Sequence, residues 1–204
     1  MAGRYTRLVR SCPTPEEAAE IKAVDGLAER LDRYLESNTL EIDAVHVFRA
    51  QSMAVQRVVG GLLNAVGFRE EVVLTPQDGF VTRARPDFYY SLSKGRGIIA
   101  EIERGGTTTN NHDLKDFWKT HIARDAHHLF LVVPMANWNE GGSARERPYA
   151  RVVHRLQAFF GDERREVDVL SAHVFGYGSL TLTSSPLNNL PQVVVKQPNR
   201  DLRD

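Results

Sequence analysis

Asp87, Glu101 and Glu103 are the residues of this chain whose types and spacing suit chemistry. The stretch from Arg85 to Lys119 reads as an extended segment carrying Pro86-Asp87, then a turn through Ser93-Lys94-Gly95-Arg96-Gly97. A second, apolar segment carries Glu101-Ile102-Glu103, and a polar loop then opens a helix. Side chains alternate faces along a strand, so Glu101 and Glu103 share a face and Ile102 points the other way. If the two segments pair as neighbours, Asp87 joins them and three carboxylates converge. Gathered acids repel one another, and a cation offsets that charge. Oxygen donors without a thiolate suit a hard ion such as Mg2+, with Mn2+ able to substitute, rather than zinc. Such an ion polarises a phosphoryl oxygen and lowers the pKa of a bound water. The chemistry expected is metal-assisted phosphodiester hydrolysis. Pro-Asp and Glu-x-Glu each recur by chance, and acids on an edge strand also discourage edge pairing. What sets these acids apart is Ile98-Ile99-Ala100, which marks the strand leading into them as buried.

On these residues the sequence resembles the restriction-endonuclease-like superfamily, the PD-(D/E)XK nucleases. Pro86-Asp87 matches the first part of that signature and Glu101-Ile102-Glu103 the second, with Glu103 standing where most members carry lysine. The resemblance implies an α/β fold with a core of helix, three-stranded meander, helix and strand around a mixed sheet. It implies a Mg2+-dependent endonuclease acting on DNA, in which Asp87 and Glu101 hold the metal and the backbone carbonyl of Ile102 adds a ligand. Glu103 orients or deprotonates the attacking water. The missing lysine is supplied from the following helix by Lys119 or Lys115, with Arg104 beside the strand end as a third option. Glu41, near the start of an earlier helix, is the candidate for a further metal-binding acid. Cutting both strands of a duplex with one site per chain argues for a homodimer. The competing readings are a nuclease fold that has lost its chemistry and only binds nucleic acid, and a structural partner subunit.

Length and composition set the frame. The chain has 204 residues, 42% of them apolar and 25% charged, as for one globular domain. Net charge is zero, from 26 basic and 26 acidic side chains, so no overall basic character points to nucleic acid; local patches matter more than the sum. The single Cys12 excludes an internal disulfide, and no Cys/His spacing resembles a zinc site. Neither a signal peptide nor a membrane-spanning run is legible, which makes a cytoplasmic protein the expectation.

The elements that must position the acids follow from periodicity. Residues 1–14 read as a flexible lead, 15–197 as a single domain and 198–204 as a loose tail. Ile21, Val24, Leu27, Ala28, Leu31 and Leu35 recur at helical spacing behind Glu16 and Glu17. A second helix is expected from about Asp43 to Val66, capped by Gly67, with Gly60-Gly61 inside it. Strands are expected at Arg69 to Leu74, Phe80 to Tyr90 and Gly97 to Glu103, forming a meander. The loop after Gly105-Gly106 carries Thr109, Asn110 and Asn111, all acceptable N-caps, and Thr107, Asn110 and Asn111 are candidates to meet a phosphate at the helix N-terminus. Trp118 is expected toward the apolar side of that helix. His112 and His121 on it are candidates for a metal or a proton. His127 to Pro134 reads as a strand buried on both faces, parallel to its neighbour. Asn137 to Pro148 reads as an exposed loop whose Trp138, Arg145 and Arg147 suit a nucleic-acid backbone or an unstacked base. A helix over Tyr149 to Phe160 is expected to turn Arg151 and Arg155 outward, and strands are expected over Glu166 to Gly176 and Gln192 to Lys196.

Overall fold

The computed structural model describes residues 4–48, 52–74, 84–161 and 167–181. Helix α1, Pro15–Ser37, starts in a capping box: Thr14 accepts from the Glu17 amide while the Glu17 carboxylate accepts from the Thr14 amide. Of the expected stripe it buries Ile21, Val24, Ala28, Leu31 and Leu35, with Leu27 half-buried. The second expected helix is broken, into α2 (Thr39–Val45) and α3 (Ser52–Ala65). At the break His46 leaves helical geometry, its Nε2 bonded to the Ala136 carbonyl at 2.8 Å and its ring edge-on to Tyr177. That anchor to a distant part of the chain outweighs the helical pattern. Gly67, at φ +103°, turns the chain after α3 as its position suggested.

The expected meander is present in shortened form. β2 (Arg69–Glu70), β3 (Phe88–Ser93) and β4 (Arg96–Ile102) pair antiparallel, with Leu74 and Ala84 bridging beyond β2. β3 begins only at Phe88, so Asp87 sits at the bend leading into it; residues 80–83 lie outside the described parts. After α4 (His112–Ile122) comes β5 (His128–Pro134), buried throughout and parallel to β4, as its apolar run predicted. A hairpin of β6 (Asn137–Trp138) and β7 (Ala144–Glu146) leads to α5 (Pro148–Phe160). β8 (Ser171–Tyr177) runs parallel to β5. Residues expected as a flexible lead form β1 (Tyr5–Val9), which pairs antiparallel with β8. Five residues of mixed polarity carry too little pattern to announce a strand; the exposed edge of β8 creates it. The expected strand at 192–196 and the tail at 198–204 lie outside the described residues.

The result is a mixed six-stranded sheet, β1-β8-β5-β4-β3-β2, between two helical layers. α1, α2 and α3 cover the face that carries Phe88, Ile98, Ala100, Ile102, Phe130 and Phe175. α4 and α5 cover the opposite face, with Ile99, Leu129, Leu131, Ala172 and Val174. Among the described residues no helix is long and apolar enough to cross a membrane.

Candidate active site

Phe88 pairs with Ala100 across β3 and β4, both facing the α1–α3 layer, so the alternation sends Asp87 and Glu101 to the α4 side. The junction is closed by two backbone contacts: the Asp87 amide donates to Glu101 Oε2 at 3.2 Å, and the Ile102 amide donates to Asp87 Oδ2 at 3.0 Å. The segment that was to offer the Ile102 carbonyl is therefore held against Asp87. Two residues on, Glu103 emerges from the same face as Glu101, its amide still bonded to the Val132 carbonyl of β5.

α4 supplies the opposing wall. Lys119 Nζ donates to Glu101 Oε1 and, at 3.1 Å, to Asp116 Oδ1. His112 Nδ1 lies 2.9 Å from Glu103 Oε2. Of the two lysines expected to replace the motif lysine, the structure brings Lys119 to the acids and leaves Lys115 exposed on the outer surface. Asp116 was missed from the sequence. Its signal was its place one helical turn before Lys119, since i and i+3 share a helix face. Buried acids inside a helix are rarely assigned without a structure, because acids usually mark its solvated side.

Asp87, Glu101, Glu103 and Asp116 thus face one ammonium. Burial is the largest influence on each and raises all four carboxylates above their ordinary range. Glu101 and Glu103 are each pushed up to about 8, with the Asp116 charge as the next cause. For Lys119, burial works against the charge, but Asp116 and Glu101 outweigh it and raise the ammonium. Among the described residues Asp116 Oδ2 is buried without a donor, beside the Glu103 carboxylate. An orphaned oxygen inside an excess of negative charge fits a hard cation. Among the described residues no three His, Cys, Asp or Glu side chains form a ready ligand cage. Mg2+ does not need one, since it is held by one or two carboxylates with waters and substrate oxygens.

The remaining expected site residues are divided. Arg104 is half-buried and donates to the Val47 carbonyl at 2.8 Å. Arg145, Arg147, Asn110 and Asn111 are exposed. Thr107 is fully buried with its hydroxyl unpartnered, so it offers no surface for a phosphate. Asn111 stands at the N-cap of α4 without capping it; its Oδ1 accepts from Arg155 at 2.7 Å. Arg155, expected to face outward, is engaged there and in an ion pair with buried Asp113 at 3.3 Å. Trp138 is not on an exposed loop but buried in the β6–β7 hairpin, whereas Trp118, expected toward the apolar side, is 58% exposed. His121 holds the Asp168 amide at 3.0 Å and stays away from the acids. Glu41 is exposed on α2, and Asp43 on the same helix binds Ser179, so α2 brings no acid to the cluster.

Compared with family models and with curated proteins, the sequence finds no match. The class the fold and site define is an α/β protein with an acidic cluster and a lysine gathered at the carboxyl end of an interior strand.

Proposed function

We propose that this protein is a metal-dependent endonuclease that hydrolyses DNA phosphodiester bonds, with a restriction-endonuclease-like core. The observation that carries the reading is the junction of Asp87 and Glu101, with Lys119 of α4 bonded to Glu101 from the helix packed on the same face of the sheet. The order α3, β2-β3-β4, α4, β5 agrees with the core that the sequence resemblance implies. Lys119 answers the absence of lysine at Glu103, because it brings the ammonium from the helix instead of the strand.

Asp87 and Glu101 would hold Mg2+, with the Ile102 carbonyl at the same strand end; the ion's part is to polarise a phosphoryl oxygen and to acidify a bound water. Lys119 donates to charge developing on the scissile phosphate, moving from its present carboxylate partners. Glu103, held by His112, accepts the proton of the attacking water. Asp116 keeps Lys119 charged and aimed. The raised carboxylates mean that cation binding displaces protons from the cluster near neutral pH. A duplex cut on both strands calls for a second copy of the chain, and this homodimer belongs to the same proposal.

The test is incubation of plasmid and linear DNA, single strands and RNA with Mg2+, Mn2+ or EDTA, comparing wild type with Asp87→Ala. Metal-dependent fragments that vanish in the variant are expected. No cutting of any substrate by wild type would sink the enzymatic reading and leave a nucleic-acid-binding or structural subunit.

A further inference from the structure

A cleft of about 400 Å³ opens one residue past Glu103, where Arg104 leaves the end of β4. Its other walls come from His46 after α2 and from Asn137, Trp138, Arg145 and Glu146 of the β6–β7 hairpin. In open α/β sheets ligands gather outside the carboxyl ends of parallel strands, and this cleft lies past the ends of β4 and β5. The acidic cluster lies on the adjoining side of the same strand end.

The lining has a definite chemistry. Arg104 and Arg145 bring two guanidinium groups against the single carboxylate of Glu146, whose Oε1 already accepts from Asn137 at 2.7 Å. His46 is only 4% exposed. Its Nε2 faces the Ala136 carbonyl, which can only accept, so Nε2 carries the proton and Nδ1 is an acceptor. That buried Nδ1 has no partner. A buried acceptor left without a donor is costly, and native proteins rarely leave one unless something else fills it. The site therefore offers cations for a phosphate, the small exposed part of the largely buried Trp138 indole for a ring, and acceptors in Glu146 and the recessed His46 for a donor on that ring.

We infer that the cleft takes one nucleotide of the substrate strand, its phosphate on Arg104 and Arg145, its base against Trp138, with a preference for bases that bear an exocyclic amine. Adenine, cytosine and guanine present such a donor and thymine does not. The inference rests on the nuclease reading only for the strand that the nucleotide belongs to; occupancy of the cleft itself needs no cleavage.

Trp118→Phe leaves Trp138 as the sole tryptophan and a reporter inside the cleft. This protein, in EDTA, is titrated with deoxyadenosine monophosphate, thymidine monophosphate and inorganic phosphate while its fluorescence is followed. Saturable change with the adenine nucleotide is expected, with roughly tenfold weaker binding for thymidine monophosphate, whose base has a ring N3–H but no exocyclic amine to meet the acceptors. Arg145→Glu, an exposed position that does not endanger the fold, weakens the adenine nucleotide roughly tenfold or more. No saturable change with either nucleotide overturns the inference. So does equal binding of all three ligands, which would make the cleft a plain anion site. Nucleotide binding together with absent DNA cleavage would keep the cleft and reject the nuclease reading; Asp87-dependent cleavage without nucleotide binding would do the reverse.

Discussion

Lys119 decides the charge balance of the acidic cluster, because among the described residues it is the ammonium bonded to both Glu101 and Asp116. Replacing it with methionine keeps the length of the side chain and removes the charge. Cleavage by Lys119→Met is expected to fall by roughly 10²- to 10³-fold, the size of losing one donor to a developing oxyanion. Lys115→Met should change the rate by less than about twofold, because Lys115 points to solvent. Both rates are read in the same plasmid assay, and equal losses would remove Lys119 from the site. At this scale the strand residues were legible: alternation alone puts Glu101 and Glu103 on one face. The choice between Lys115 and Lys119 was not. Both lie on one side of a helix in sequence, and only the docking of α4 decides which of them meets β4.

Two elements hold the site by contacts that can be broken singly. Phe88, the residue after Asp87, packs on Gly60 of α3, where an added Cβ would lie 2.8 Å from the ring. The close approach at Gly60 is made by an aromatic ring. Gly60→Ala is expected to lower stability by roughly 1–2 kcal/mol, since crowding of a full core outweighs the gain in helix propensity. Gly61→Ala meets nothing nearer than the Tyr34 hydroxyl at 3.8 Å and should stabilise by roughly 0.5–1 kcal/mol. Urea unfolding of both variants checks the pair. A second device joins α1, β5, β8 and β1 through a buried chain of polar groups. Tyr5 OH donates to His173 Nδ1 at 2.7 Å, His173 Nε2 to Ser171 Oγ at 2.9 Å, Ser171 Oγ to His128 Nδ1 at 2.8 Å, and His128 Nε2 to Glu20 Oε1 at 2.8 Å. Burial keeps both imidazoles neutral, and with neutral rings a chain that ends on a carboxylate points every donor the same way and puts each ring proton on Nε2. Ser171→Ala orphans one nitrogen on each ring and should cost about 2–4 kcal/mol in the same unfolding measurement.

For the whole molecule these two polar systems act on stability in opposite senses. Burial lowers His128 from 6.5 to about 4 and His173 to about 3. A depressed histidine takes its proton more readily when unfolded, so its contribution is present above pH 6.5 and is lost as pH falls toward 4 and 3. Glu101 and Glu103 are raised from 4.5 to about 8, so their contribution is present below pH 4.5 and is lost as pH rises through 8. Between about 4.5 and 6.5 the slopes oppose each other. In EDTA the melting temperature should therefore peak in that window and fall on both sides. Mg2+ should recover the alkaline limb by about 3 °C or more at pH 8 and leave the acid limb unchanged. Glu103→Gln should flatten the alkaline limb even in EDTA. A melting temperature that keeps rising from pH 6.5 to 8 in EDTA would contradict the raised carboxylates.

By itself the sequence determined what depends on near neighbours along the chain: the amphipathic stripe of α1, the burial of β5 on both faces, the shared face of Glu101 and Glu103, and the pairing that brings Asp87 to Glu101. Each follows from a period of 3.6 or 2 or from a short turn. Tertiary structure alone decided the break at His46, the strand at Tyr5–Val9, the entry of Asp116 and Lys119 into the acidic cluster, the burial of Trp138 and the exposure of Trp118. These depend on partners 18 to 168 positions away, such as Lys119 with Glu101 and Tyr5 with His173. No local pattern encodes such a partner, because the energy that selects the conformation belongs to the contact and not to the segment.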